Sequence, residues 1–231
     1  MVNDGAVVDP GTMASHIGVA IKQVSDSQNH VGLLYRDSQG VQFCHLAFHH
    51  DLRFENARSD YHWAESGVFE DDEESAKILA ARIITLKQKR GYISYGFFSG
   101  KGPVFNSKGE FIEFPSPGMG LTCATFILEL FHAMGFTIVD AGSWPDRAAD
   151  AAWKDHIVNV LYEYFPDHAL ALENFRDGVR IRPEEAAACV ISQAYPTKYD
   201  LAIKMAEEIL ADLNGVDSSD CEGGASAAKT K

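Results

Sequence analysis

A cysteine stands where a glycine-broken loop runs into a strongly apolar segment. The loop at 117–120 holds one proline and two glycines, and the segment at 123–134 is predominantly apolar. Thr122 is a favourable N-cap residue, and Leu121 supplies the hydrophobic residue that often precedes one. We therefore expect a helix that begins at about Cys123 and packs one face into the core.

The first turn of a helix is a favourable position for a reactive thiol. Free backbone N–H groups and the positive end of the helix dipole both favour the thiolate of Cys123. The chain has three other cysteines, Cys44, Cys189 and Cys221. We expect Cys44 and Cys189 to be core thiols, because one alternates with a histidine on a strand and the other lies in an apolar helix. Cys221 belongs to a polar tail.

Three strand candidates precede this helix, at 17–24, 31–35 and 41–48. The second and third are joined by Asp37-Ser38-Gln39-Gly40, which favours a type I turn with the glycine in the left-handed region. We therefore predict an antiparallel sheet. A later run of helical segments, at 146–165, 183–194 and 197–213, makes the expected fold class α+β.

The hairpin carries a histidine on each arm. In an antiparallel hairpin the residue numbers of two opposed residues have a constant sum. For this turn the expected sum is about 77, or 75–76 if a bulge adds a residue, and the numbers of His30 and His45 add to 75. We therefore expect the two histidines to be nearly opposite and on one face, with Cβ atoms roughly 5 Å apart. A slip of one residue would place them on opposite faces. A cysteine that begins a helix, a histidine base and a second histidine that orients it would form a nucleophilic triad.

Three segments carry a family resemblance: His-Val-Gly-Leu-Leu-Tyr at 30–35, Phe-Cys-His-Leu-Ala at 43–47, and Gly-Leu-Thr-Cys-Ala-Thr-Phe-Ile at 120–127. In this order they resemble the circularly permuted papain-like thiol hydrolases, the permuted NlpC-type group that includes lecithin:retinol acyltransferase-like enzymes. The resemblance implies an antiparallel sheet packed on the cysteine helix. It also implies that Cys123 is the nucleophile, His30 the base and His45 the orienting residue.

The resemblance covers residues 15–140 and divides the chain. We expect a flexible leader over 1–14, a permuted papain-like catalytic domain over 15–140, a helical extension over 141–213 packed on it, and a disordered tail over 214–231. Around the nucleophile the acyltransferase subgroup has Asn-Cys-Glu-His, whereas this chain has Thr-Cys-Ala-Thr. This departure, and the absence of a membrane-anchoring C-terminal helix, weaken a lipid acyltransferase interpretation.

Composition limits the classes of partner. A net charge of −13 over 231 residues argues against nucleic acid and against an anionic membrane surface. The cysteines form no CxxC pair, so neither a zinc ribbon nor a disulfide framework is indicated. The N-terminal residues lack a basic region followed by an apolar stretch, and no apolar run is long enough for a bilayer. We expect a soluble cytoplasmic protein without a membrane anchor.

The sequence therefore predicts a cysteine peptidase or amidohydrolase that cleaves a peptide or amide substrate through a thioester, without metal or cofactor. Two alternatives stay open: a thiol acyltransferase or esterase acting on lipid or thioester substrates, and an inactive binding module of the same fold.

Two further sets of residues compete for the site. His16 precedes a strand as His30 does and is a rival base. A metal cluster could also form from the set His45, His49, His50, Asp51 and His62, although a motif such as HExxH is missing.

Overall fold

The computed structural model describes residues 9–26, 28–89, 91–97, 104–106, 108–175 and 179–217. The strands are β1 (Ile17–Ser25), β2 (Gln28–Asp37), β3 (Gly40–Phe48), β4 (Asp51–Asn56) and β5 (His62–Glu65). The α-helices are α1 (Glu73–Lys89), α2 (Cys123–His132), α3 (Ala148–Tyr164), α4 (Pro166–Leu172), α5 (Pro183–Ile191) and α6 (Tyr199–Asp217). Residues 1–8 of the expected leader, and 218–231 of the expected tail with Cys221, lie outside the described residues.

The five strands form one antiparallel sheet in the order β4-β3-β2-β1-β5. The α+β class and the antiparallel sheet predicted from the sequence are thereby confirmed. In the β2–β3 hairpin Leu33 opposes Cys44 and Asp37 opposes Gly40, so the residue numbers add to 77 throughout. The turn adds no bulge. Gly40 has φ +112°, the left-handed conformation that the turn needed.

This register corrects the expected pairing of the two histidines. His30 and His45 are diagonal neighbours instead of opposed residues, and His45 lies across from Gly32. The sum of 77 for opposed residues differs by two from the sum of 75 for His30 and His45. Because successive side chains of a strand alternate between its two faces, a difference of two leaves both residues on the same face. The histidines therefore remain on one face of the sheet, as the sequence predicted.

The two faces of the sheet are covered differently. Val31, Leu33 and Cys44 face the large core that the helices complete, whereas Leu34 and Phe43 belong to a smaller apolar cluster on the other face. Helix α2 packs across β2 and β3, and α5 packs on β1, β2 and α2. Residues 186–190 of α5 are completely buried. The segment 141–213 thus contributes an internal helix to the same core that holds residues 15–140.

Buried ion pairs attach α3 to the start of α5. The carboxylate of Glu185, which is fully buried, accepts from Arg147 and from the Trp144 indole at 3.0 Å. Asp150, also buried, accepts from Arg147 Nε at 2.8 Å and from Arg182 Nη2 at 3.0 Å. Buried charges need such partners, so this cluster fixes α3 and the segment before α5 in one arrangement.

Candidate active site

Helix α2 begins at Cys123, directly after its N-cap. Thr125 N–H donates to Thr122 Oγ1 at 3.1 Å, and Thr122 N–H donates to Thr125 Oγ1 at 2.8 Å. This reciprocal capping box satisfies two N–H groups that the helix leaves unpaired. Cys123 is 5% exposed, and its sulfur lies close to the backbone N–H groups of Val31 and Ala124.

The two histidines of the hairpin are joined directly. His30 Nε2 and His45 Nδ1 lie 2.7 Å apart, and the rings meet edge to face. His45 is buried, with its ring stacked on Phe43 at a centroid distance of 4.5 Å. Gly32 leaves room for both residues, since an added Cβ there would come within 2.6 Å of the His45 Cβ and of a carbon of the Phe43 ring.

All three predicted residues, Cys123, His30 and His45, line one cavity of about 360 Å³. Its volume lies within the range of small ligand sites. The rival base His16 is not among the lining residues that the structure describes. It precedes β1, and its Nδ1 lies 3.9 Å from Glu73.

The hydrogen bond between the histidines determines which nitrogen can act on the thiol. His30 Nε2 is occupied by His45, so Nδ1 is the nitrogen that can take a proton. For that, the hydrogen of the neutral His30 ring must be on Nε2, from which it is donated to His45 Nδ1. The neutral His45 ring then carries its own hydrogen on Nε2. His45 Nε2 is buried without a hydrogen bond in the described residues, and Glu55 Oε1 lies 3.9 Å away. Glu55 is therefore the nearest carboxylate that could complete the chain of proton positions.

Burial favours the neutral forms of both imidazoles and of the thiol. Burial lowers the pKa of His30 to about 4, with smaller effects from His45 and Arg53. Burial also lowers the pKa of His45 to about 4, and Arg53 adds to the effect. The pKa of Cys123 is raised by burial, although backbone N–H groups and Arg180 act in the opposite direction. No hydrogen bond links the thiol to either imidazole within the described chain. The arrangement favours a neutral thiol beside a neutral imidazole, instead of the thiolate expected from the helix dipole alone.

Part of the cavity wall comes from residues that sequence reasoning did not select. Trp153 of α3 and Arg180, before α5, line the cavity together with Tyr95. The sequence signal for Arg180 is weak, because an arginine in an Arg-x-Arg-Pro stretch before a helix is usually exposed.

The rival metal set does not converge. His45 belongs to the pair with His30, Asp51 binds Arg53 through both of its oxygens, and His62 pairs with β1. The described residues contain no group of three or more His, Cys, Asp or Glu side chains arranged to hold a metal ion.

His49 instead joins a histidine that the sequence did not single out. Its ring lies 4.2 Å from that of His168 on α4. Tyr95 N–H donates to His49 Nδ1 at 3.3 Å, and His168 Nε2 donates to the Tyr95 carbonyl at 2.8 Å. The two histidines therefore hold the backbone of a residue that lines the cavity. Burial lowers the pKa of His49 to about 3, with His168 and His50 adding to the effect.

Comparison with protein-family models, with curated proteins and with solved structures finds no match for this chain. Within the described residues, no helix has both the length and the apolar character needed to cross a bilayer.

Proposed function

We propose that this protein is a cysteine-dependent hydrolase that cleaves an amide or peptide bond. One observation carries the proposal. Cys123, at the first residue of a capped helix, shares a cavity with His30, whose Nε2 lies 2.7 Å from His45 Nδ1. A nucleophile, a base and a group that orients the base are the parts that covalent acyl transfer needs.

The proposed acylation step uses these three residues. His30 Nδ1 takes the proton of the Cys123 thiol while the sulfur attacks the substrate carbonyl carbon, and the carbonyl electron pair moves to oxygen. The tetrahedral intermediate then collapses, the C–N bond breaks, and His30 returns the proton to the leaving amine. A thioester on Cys123 remains. The N–H of a residue at a helix start has no intrahelical acceptor, so Cys123 N–H is a candidate oxyanion donor.

Deacylation uses the same residues, with His30 acting again first as a base and then as an acid. His30 takes a proton from water, the resulting hydroxide adds to the thioester carbonyl, and the C–S bond breaks. The thiolate recovers the proton from His30, so the net reaction is hydrolysis of one amide to an acid and an amine. In this mechanism His45 orients His30 throughout, because its bond to Nε2 holds the tautomer that leaves Nδ1 free to take the proton.

The test is labelling with a peptidyl vinyl sulfone, whose reaction needs an activated thiol. We expect the label on Cys123 and no labelling in Cys123→Ala. The labelling rate should be at least about 100-fold lower in His30→Ala, since a general base contributes that much. Cys189→Ala is the matched control, because Cys189 is a buried thiol outside the cavity and its loss should leave labelling intact. Labelling of Cys123 that does not depend on His30 would contradict the proposal.

A second function, an inactive binding module of the same fold, is favoured by one observation. The thiol is neutral and forms no hydrogen bond with His30 in the described residues. Such a module would bind peptides in the same cavity without turnover. Mass spectrometry of a peptide library incubated with the protein separates the two functions, because only a hydrolase produces fragments that disappear with Cys123→Ala.

A further inference from the structure

The cavity has the opposite charge character to the chain that surrounds it. The protein has a net charge of −13, with 33 acidic residues against 20 basic ones. Yet the lining residues that the structure describes include Arg53 and Arg180 and no aspartate or glutamate. A cavity lined by one sign of charge attracts ligands of the other sign, so the cavity is suited to an anionic group.

Arg180 is held in place as a rigid donor. Its side chain is 12% exposed, and its guanidinium lies 3.7 Å from the centroid of the Trp153 ring. Its backbone carbonyl accepts from Arg147 Nη2 at 2.7 Å. Stacking on an aromatic ring fixes the plane of a guanidinium and leaves its edge available for hydrogen bonds.

Within the described part of the chain, the charge of Arg180 is incompletely compensated. Its one ion pair among the described residues joins Nη1 to Asp150 Oδ1 at 3.3 Å. Asp150 is also bound more closely by Arg147 and by Arg182. Glu184 is buried nearby and lines a neighbouring cavity together with Arg180 and Arg182, but its carboxylate accepts from Asn29 at 3.0 Å and is not within ion-pair distance of Arg180 in the described residues. Among the described residues, Arg180 thus retains donors that no other side chain accepts from.

Arg53 is a weaker candidate for the same role. Asp51 accepts from its Nε at 3.0 Å and from its Nη2 at 2.5 Å, so the fork of the guanidinium is already occupied. Half of its side chain is also exposed, and solvent screens such a charge. Arg180, deeper and less fully paired, is therefore the residue that can bind a ligand strongly.

We propose that Arg180 binds a carboxylate of the substrate, so that the hydrolase prefers an acidic group near the bond that it cleaves. That the bound carboxylate belongs to a substrate rests on the proposed function, whereas the binding test does not depend on it. A guanidinium can bind a carboxylate through two parallel N–H···O bonds, which gives direction as well as attraction. The carboxylate can belong to an acidic side chain or to a chain terminus, since both present the same two oxygens.

Three small compounds of nearly equal size separate these sources. N-acetylglutamate α-amide has only a side-chain carboxylate, N-acetylglutamine has only a terminal carboxylate, and N-acetylglutamine α-amide is neutral. Their affinities are measured by calorimetry or NMR on the full chain carrying Cys123→Ala, so that no turnover occurs. We expect one of the two acids to bind at least about tenfold more tightly than the neutral amide, as a charge-assisted pair allows.

Two variants assign the effect to one residue. Arg180→Gln should remove the preference for the acid, and Arg180→Lys should keep part of it. Arg182→Gln is the matched control, because Arg182 binds the same Asp150 but does not line this cavity. Equal affinity for all three compounds, or a preference that survives Arg180→Gln, would overturn the inference. Because binding is measured without the nucleophile, that outcome is distinct from the loss of His30-dependent labelling that would contradict the proposed function.

Discussion

Gly32 lies directly beneath His45 in the β2–β3 hairpin, where a Cβ atom would come within 2.6 Å of the His45 Cβ. The contact follows from the pairing, in which residue numbers add to 77 and place position 32 opposite position 45. The absence of a side chain at position 32 leaves room for the His45 Cβ and for the Phe43 ring on which the imidazole stacks, and so supports the position from which His45 meets His30. The catalytic arrangement that we propose therefore depends on a glycine that takes no part in the chemistry.

Gly32→Ala tests this dependence. We expect the added methyl group to displace His45, to reduce His30-dependent labelling of Cys123, and to lower the free energy of unfolding by about 1–3 kcal/mol through overpacking. Urea unfolding and the vinyl sulfone rate measure the two effects. Gly215→Ala in α6 is the control, because a Cβ built there meets no atom of another described segment within 4 Å. Unchanged labelling in Gly32→Ala would show that the ring position is not needed.

The two histidines should respond differently to substitution. His30→Ala removes the base and should remove nearly all activity. His45→Gln keeps a group that can accept from His30 Nε2 and should retain partial activity, more than His45→Ala does. Initial rates of labelling or of peptide cleavage provide the comparison. Equal loss in His45→Gln and His45→Ala would mean that the hydrogen bond to His30 is not what His45 contributes.

The neutral resting pair predicts a particular pH profile for alkylation. Burial raises the pKa of the Cys123 thiol and lowers that of His30 to about 4, so no thiolate–imidazolium pair should exist between pH 5 and 8. We expect the rate of iodoacetamide modification of Cys123 to be low at neutral pH and to rise above pH 9. Mass spectrometry of the modified peptide gives the rate. A plateau from pH 5 to 8 would instead demonstrate a preformed ion pair.

Acid should loosen the histidine cluster that holds Tyr95. The pKa of His49 is about 3 in the folded protein and about 6.5 in a model peptide, so the unfolded chain binds the proton first. The stabilisation is complete above about pH 6.5 and is lost as the pH falls toward 3. Between pH 7 and pH 4 we expect His49 to account for a loss on the order of 2 kcal/mol, allowing for solvent screening.

The measurement compares urea unfolding of wild type and His49→Gln at both pH values. Glutamine can still accept from Tyr95 N–H but does not titrate, so the variant should lose less stability on acidification. His132→Gln is the control, since His132 lies exposed at the end of α2. An identical acid loss in wild type and His49→Gln would assign the effect to other groups.

The sequence predicted the features that depend on local pattern. The N-cap at Thr122, the left-handed Gly40 and the shared face of His30 and His45 all follow from turn chemistry and alternation. The burial of Cys44 and Cys189 was also predicted and is confirmed.

Other features depend on contacts between distant segments, which local patterns do not contain. Arg180 lines the cavity because a buried network with Asp150 fixes its segment, and no spacing in the sequence indicates that network. His168 meets His49 only because α4 packs beside the β3–β4 turn. Burial also outweighs the helix dipole at Cys123, which reasoning from helix position alone could not weigh.

The residues that complete the cavity wall come late in the sequence. His30 and Cys123 are synthesised well before Trp153 and Arg180, which complete the enclosure. A polypeptide still being made on the ribosome would therefore hold its thiol in an open groove until α5 had emerged and packed on β1 and β2. For the proposed nucleophile, the order of synthesis therefore delays full activity until α5 has been made. A fragment that ends at residue 140 should accordingly be a poor substitute for the whole chain.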